Sequence, residues 1–206
     1  KTITRLDTNE VADFLDAVEY GDHLTQHQQA YHAKTKVRDL AILTLMLGTG
    51  IRVSECVGID LNDVDFNNNR VKVTRKGGYE SYVYFGDEVT DALTAYLEER
   101  KHIEPVSGHE NALFLSSQRK RMSVRSVEML VKKYSEGVIP MKHITPHKLR
   151  STYGTELYRE TGDIYLVADV LGHSDVNTTR KHYADMDEDR RRSARNRVQL
   201  REKRDN

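Results

Sequence analysis

Arg52 in GTGIRVSE, His147 and Arg150 in TPHKLRSTYGTE, His173 in VLGHSD and Tyr183 in TTRKHYAD supply two guanidiniums, two imidazoles and a phenol. That set suits attack on a phosphodiester without a metal. Guanidiniums hold a phosphate through paired N–H donors and offset the charge of a crowded transition state. Imidazoles donate hydrogen bonds or move protons. A phenol serves as a covalent nucleophile and later as a leaving group. Each residue alone is ordinary; their order along the chain is the signal.

The elements that must carry these groups read mostly as helices. Residues 8–20 place Val11, Phe14, Leu15 and Val18 on one helical face. Residues 22–33 are polar and rich in His and Gln, and read as a loop or a poorly packed helix. Residues 34–47 are apolar almost all round, which predicts a buried helix stopped by Gly48 and Gly50. A short helix then begins at Arg52, so a tight turn at the end of a buried element delivers that guanidinium.

Residues 70–85 give the one convincing hairpin. Val71 and Val73 alternate with polar neighbours, 79–85 is aromatic and β-branched, and Lys76-Gly77-Gly78 makes the turn. Lys76 therefore belongs at the tip of a ribbon. A second amphipathic helix spans 87–103 before Pro105, and residues 113–115 read as a short extended piece. Ser123 caps a helix to about residue 135, with Gly137 beyond it. Thr145 reads as an N-cap with Pro146 at the first helical position. His147 and Arg150 then share one face of a first turn, where the helix N-terminus favours a phosphate. Gly162 ends that helix and Asp163 starts the next, which runs to Gly172. Ser174 or Asp175 caps the helix bearing Tyr183.

Composition bounds the rest. The chain has 206 residues, 37% of them hydrophobic and 31% charged, enough for a substantial core under a well-solvated surface. It has no run of 18 apolar residues and no opening signal segment. The single Cys56 excludes a disulfide framework and reads as a core residue in a reducing, cytoplasmic compartment. Net charge is zero, but unevenly spread. Residues 1–33 hold two basic side chains against six acidic, 118–150 nine against two, and 180–206 ten against six. The basic half contains the candidate groups, and local field rather than total charge steers a polyanion.

Other chemistries fit less well. His23 and His27 are four apart, but neither the metalloprotease Glu nor a CxxC is present, so no metal site is expected. No phosphate-cradling glycine motif occurs. Asp60, Asp63 and Asp65 lie in a turn-like segment and read as solvated caps. No domain boundary is evident, although the chain could divide loosely near 105–110.

The order Arg52 in TGIRVSE, Lys76 in RKGG, His147-x-x-Arg150, Leu171-Gly172-His173 and Tyr183 after Thr178-Thr179 resembles the catalytic domain of the tyrosine recombinases, the phage-integrase family, over residues 35–190. The resemblance implies a mainly α catalytic domain with a small antiparallel sheet. It implies that Tyr183 attacks the scissile phosphate, forms a 3′-phosphotyrosyl link and releases a 5′-hydroxyl. Arg52 and Arg150 would clamp the non-bridging oxygens, with His173 hydrogen-bonding the phosphate. Lys76 would protonate the leaving oxygen, and His147 would assist proton transfer with Tyr183. Tyr153 and Tyr158, on the His147 helix, are expected to pack.

The expected function is therefore a site-specific DNA recombinase, similar to integrases of phages or conjugative transposons, with neither cofactor nor metal in the chemical step. Its partners would be double-stranded DNA and further copies of itself, dimer to tetramer, on the nucleoid. The alternatives are a type IB topoisomerase-like nicking-closing enzyme or a DNA-binding module of the same fold without catalysis. The expected organisation is one catalytic domain: an N-terminal helix and loop (1–33), a core (34–186) and a charged tail (187–206). The tail is too poor in apolar residues to stand as a helix alone, and would dock on a neighbouring protomer. The family's upstream DNA-clamping domain is expected in a longer protein and lies outside this chain.

Overall fold

A computed structural model describes residues 5–173, 176–198 and 200, without the side chains at 182, 185 and 196. The fold is mainly helical with one small sheet. It comprises two compact units, one ending at Gly154 and the other beginning at Thr155.

The larger unit opens with α1 (Thr8–Tyr20), capped by an Asp7–Glu10 box and closed by Gly21 at φ 74°. The second helix, α2 (Gln26–Thr49), starts well before residue 34. The stretch read as a loop is helical from Gln26 because Thr25 and Gln28 form a capping box. Tertiary contacts hold it: the His32 ring meets the Val18 carbonyl at 2.6 Å, and Gln29 Nε2 donates to the Gly21 carbonyl over 2.8 Å. Gly48 lies inside α2, not beyond it; a Cβ there would stand 2.7 Å from Val89 Cγ2, so the glycine allows close helix packing. Gly50, at φ 71°, is the stop.

After α3 (Val53–Val57), three antiparallel strands pair in chain order: β1 (Val64–Asp65), β2 (Arg70–Thr74) and β3 (Glu80–Tyr84). Val71 opposes Val83, and the buried Val71, Val73 and Val83 seat the sheet on the core. α4 (Asp87–Arg100) packs along α2. Its Tyr96 hydroxyl donates to the Leu113 carbonyl and accepts the Leu115 N–H, each at 3.0 Å. Arg100 donates to the Glu110 and Ala112 carbonyls at 2.9 and 3.0 Å, and the Val106 N–H bonds the Arg119 carbonyl. These bonds tie the loop to the core, so the chain does not divide near 105–110. Residues 113–115 form no strand: isolated bridges occur at Ala112, just before them, and at Leu115, their last residue.

α5 (Val124–Val138) starts at the Ser123 cap as read, but Gly137 lies within it. A Cβ at Gly137 would come within 2.4 Å of His23 Cβ, so close approach, not termination, explains that glycine. α6 (Pro146–Thr161) begins where expected, with the Lys148 and Leu149 N–H groups bonding the Thr145 carbonyl.

The smaller unit takes the last turns of α6. Gly162 follows at φ 65°. Asp163 caps α7 (Ile164–Leu171), which Gly172 ends at φ 75°. Tyr183 closes α8 (Val176–Tyr183), and α9 (Asp187–Ser193) follows. The expected cap at Ser174 or Asp175 lies outside the described residues. The first residues of the charged tail, Asp187–Ser193, do form a helix, because they dock within their own unit. The Tyr158 hydroxyl donates to Asp187 Oδ1 at 2.6 Å. Arg190 lies 4.8 Å over the Tyr158 ring and donates to the Tyr158 and Gly162 carbonyls. Among the described residues no helix is long and apolar enough to cross a membrane.

Candidate active site

Arg52 is the N-cap residue of α3. Its side chain is 40% exposed, and Nη1 lies 3.8 Å from Glu55 Oε2. Glu55 Oε1 accepts the Arg52 N–H at 2.8 Å. One carboxylate thus fixes both the peptide and the guanidinium of Arg52.

Arg150 is 5% exposed and reaches the same turn from α6, donating from Nη1 to the Gly50 carbonyl over 2.7 Å. The structure therefore brings the two arginines of the candidate site together on residues 50–52. His147, one turn earlier on α6, is exposed and lines a groove of about 470 Å³ with Val53, Arg125, Lys132 and His143. Arg125 and Lys132 outnumber Glu128 among its charged side chains, and it lies at the N-terminus of α6, a setting suited to an anion.

Lys76 stands exposed in the β2–β3 turn. The turn is closed by the Arg75 N–H to the Tyr79 carbonyl at 2.8 Å and the Gly78 N–H to the Arg75 carbonyl at 3.0 Å. Gly77 and Gly78 adopt φ 91° and 84°, which side-chain-bearing residues rarely do. At the base, buried Arg75 places Nη1 at 3.0 and 3.2 Å from the two oxygens of Glu55. Neither Glu55 nor Arg75 stood out in the sequence. Glu55 makes only the return half of a capping box, to the Arg52 N–H, since an arginine N-cap has no acceptor to complete the sequence signature; nothing local marked Arg75.

His173 and Tyr183 belong to the smaller unit. His173 directly follows the left-handed Gly172, its N–H bonding the Ala168 carbonyl and its Nδ1 lying 2.6 Å from Thr179 Oγ1. That contact ties the LGH segment to α8. Tyr183 is 5% exposed, with its ring 5.8 Å from that of Tyr158. Tyr158 is buried and bonded to Asp187, and burial raises its phenol above the ordinary range. Burial does the same for Tyr153. Both are packing residues, as expected.

The acidic turn acts as caps. Asp63 Oδ2 accepts the Asp60 N–H at 2.8 Å, Asp65 Oδ2 takes the Asn68 side-chain amide at 2.8 Å, and Asp60 pairs with Arg121. Cys56 is fully buried, and burial pushes its thiol up to about 12. It is a core residue.

The sequence profile of the phage integrase family matches residues 4–190. Tyrosine recombinase XerS of Streptococcus agalactiae is 39% identical over 176 residues, covering 83% of this chain and 49% of that protein. Tyrosine recombinase XerC of Actinobacillus pleuropneumoniae is 35% identical over 165 residues, covering 80% and 52%. The chain spans about half the length of the curated relatives it matches. Among solved structures, XerA recombinase superposes with a TM-score of 0.78 at 24% identity, over 98% of this chain and 67% of that one. A Tn1549 transposon integrase in complex with circular intermediate DNA gives 0.68 at 26% identity, over 95% and 66%. The XerA likeness shows the fold: a mainly α domain with a small antiparallel sheet.

Proposed function

The chain belongs to the phage integrase family, and on that premise we propose that it is the strand-cleaving domain of a site-specific DNA recombinase. The observation that carries the reading is that Arg150, on α6, is bonded to the turn that delivers Arg52. Arg150 is buried and bonded to the Gly50 carbonyl, two residues before the partly exposed Arg52. Two guanidiniums held that way provide charge and donors for a phosphate without reorganisation at the moment of reaction.

In the proposed reaction the Tyr183 oxygen attacks the scissile phosphorus. An O–P bond forms to the DNA 3′-phosphate while the bond to the 5′-oxygen breaks. The phenol proton passes to His147 or to solvent, and Lys76 delivers a proton to the departing 5′-oxygen. Arg52, Arg150 and His173 hold the non-bridging oxygens. A phenol ionises near 10 in water, so a cationic site favours its anion, and the phenolate leaves again when a 5′-hydroxyl attacks. The phosphodiester energy is kept in the covalent link, so neither ATP nor a metal is needed in this step.

The proposed substrate is double-stranded DNA in the cell's nucleoid, bound by two to four copies of the protein, with residues 187–206 contributing to contacts between copies. The domain would work with a DNA-clamping region of a longer protein. The test is to incubate the full protein with a nicked suicide duplex bearing its own recombination site and resolve the products in denaturant. A protein–DNA band that survives denaturation, and is lost in Tyr183→Phe, is expected. No such band, or an equal band from the Phe variant, would overturn the reading. Relaxation of supercoiled DNA with no strand exchange would assign the topoisomerase alternative.

A further inference from the structure

We infer that Arg75 is a positioning residue that sets where Lys76 stands relative to Arg52, acting through Glu55. The inference rests on the recombinase reading and names a group that the reading does not use.

The geometry runs through one buried carboxylate. Glu55 and Arg75 have side chains only 2% and 3% exposed, and Arg75 Nη1 lies 3.0 and 3.2 Å from the two Glu55 oxygens. The same Glu55 accepts the Arg52 N–H at 2.8 Å and faces the Arg52 guanidinium at 3.8 Å. Arg75 is also the residue whose own N–H and carbonyl close the turn carrying Lys76. So the lysine turn and the arginine turn, from elements more than twenty residues apart in sequence, meet at one ion pair.

Among the described residues, none packs on the two glycines at the tip. A Cβ built on Gly77 or Gly78 would meet nothing within 4 Å. The turn projects into open space, and its direction is set at its base. A buried ion pair is weak evidence for stability, because desolvation offsets the attraction. It is better evidence for specifying one geometry, and here the specified geometry is the separation of a general acid from a phosphate clamp. Misplacing a catalytic group by about 1 Å is enough to cost about 10²-fold in rate.

The experiment compares suicide duplexes with a 5′-bridging oxygen or a 5′-bridging sulfur at the scissile phosphate. A thiolate leaves without protonation, so the sulfur substrate reports on everything except the general acid. Arg75→Met should slow cleavage of the oxygen substrate by about 10- to 100-fold and slow the sulfur substrate several-fold less, with duplex binding retained. Equal slowing on both substrates, or none on either, overturns the inference. If the wild-type protein cleaves neither substrate, the recombinase reading itself fails, and the coupling is then judged on a readout that needs no activity. For that, Glu55→Gln keeps the side-chain shape and removes the charge. Amide hydrogen exchange at Gly78, twenty-three residues away, should speed up in this variant. Unchanged exchange at Gly78 shows that Glu55 and the lysine turn are not coupled, and overturns the inference by itself.

Discussion

Arg150 joins α6 to the end of α2 across a hundred residues of sequence, its Nη1 donating to the carbonyl of Gly50 over 2.7 Å. The carbonyl belongs to a residue with φ 71°, so it sits in a left-handed turn whose N–H already bonds Met46. Two residues on, Arg52 starts α3 under the control of Glu55. The candidate clamp is therefore built from one turn and one helix face, with no flexible loop between the two charges.

That arrangement separates two kinds of loss. Arg52 is partly exposed, so Arg52→Ala should lower cleavage by about 10²-fold or more, as loss of a preorganised donor does, with little change in stability. Arg150 is buried, and Arg150→Ala should lower cleavage similarly and also destabilise the fold by about 1–3 kcal/mol through the donor lost to Gly50. Single-turnover cleavage and urea unfolding on the same preparations check both. Lysine at either position should rescue poorly, since a point charge does not reproduce the planar fork; near-normal cleavage by the lysine variants would count against a two-point grip.

Much of this was legible because caps and periodicity are local. Ser123, Thr145, Asp163 and Gly172 mark helix ends by chemistry confined to a few residues, and the helices start or stop there. Residues 26–33 misled because their helix is held by partners on α1, notably His32 to the Val18 carbonyl, which no periodicity reveals. Gly48 and Gly137 were read as stops because a glycine's need for space against Val89 or His23 is invisible without the neighbour. The same applies to Arg75 and Glu55. Twenty residues apart, both charged, they look like surface residues until the fold buries one against the other. The proposed set of six polar groups comes from their order in the sequence; the buried Glu55–Arg75 pair between the Arg52 and Lys76 turns comes only from the fold.

Lys76 gives a sharper chemical test than the arginines. If it is the general acid, Lys76→Ala should cut cleavage of an ordinary duplex by about 10²- to 10⁴-fold and regain most of that loss on a 5′-bridging sulfur substrate. The comparison is a ratio of rates on the two substrates for each variant. Equal impairment on both would assign Lys76 to phosphate binding or to solvent.

Cys56 predicts an alkaline weakness. Burial holds its thiol neutral, up to about 12 against an ordinary 9.0. Below pH 9 the thiol is protonated in folded and unfolded chains alike, and its contribution is fully present. Between about 9 and 12 the unfolded chain loses the proton while the fold keeps it, so stability falls as pH rises, by at most about 1.4 kcal/mol per pH unit for one group. Urea midpoints from pH 7 to 10.5 should therefore decline more steeply in the wild type than in Cys56→Ala. At pH 8 the folded protein should resist iodoacetamide and react only once unfolded. Parallel decline in the two proteins would show that the thiol is not what titrates.

The end of the chain tests the proposed contacts between copies. Asp187 and Arg190 are anchored on Tyr158 and Gly162 of their own unit. Gly162 suits that anchor twice, since it needs φ 65° and a Cβ there would collide with the Arg190 guanidinium. Past the anchor, Val198 and Leu200 are 78% and 92% exposed. These two apolar side chains, beyond the end of α9 and in water, gain about 1.5–3 kcal/mol each if a neighbouring copy buries them. Removing residues 194–206, which spares Asp187 and Arg190, should then weaken the step from one to two bound copies by tenfold or more and leave binding of the first copy nearly unchanged. Removing 190–206 should add the loss of the anchor and lower the unfolding midpoint as well. A gel-shift series that resolves one- and two-copy complexes on a DNA with paired sites separates the two steps. If the shorter truncation lowers both steps equally, or neither, residues 194–206 take no part in assembly, and what holds this end of the chain is the anchor of Asp187 and Arg190 within their own unit.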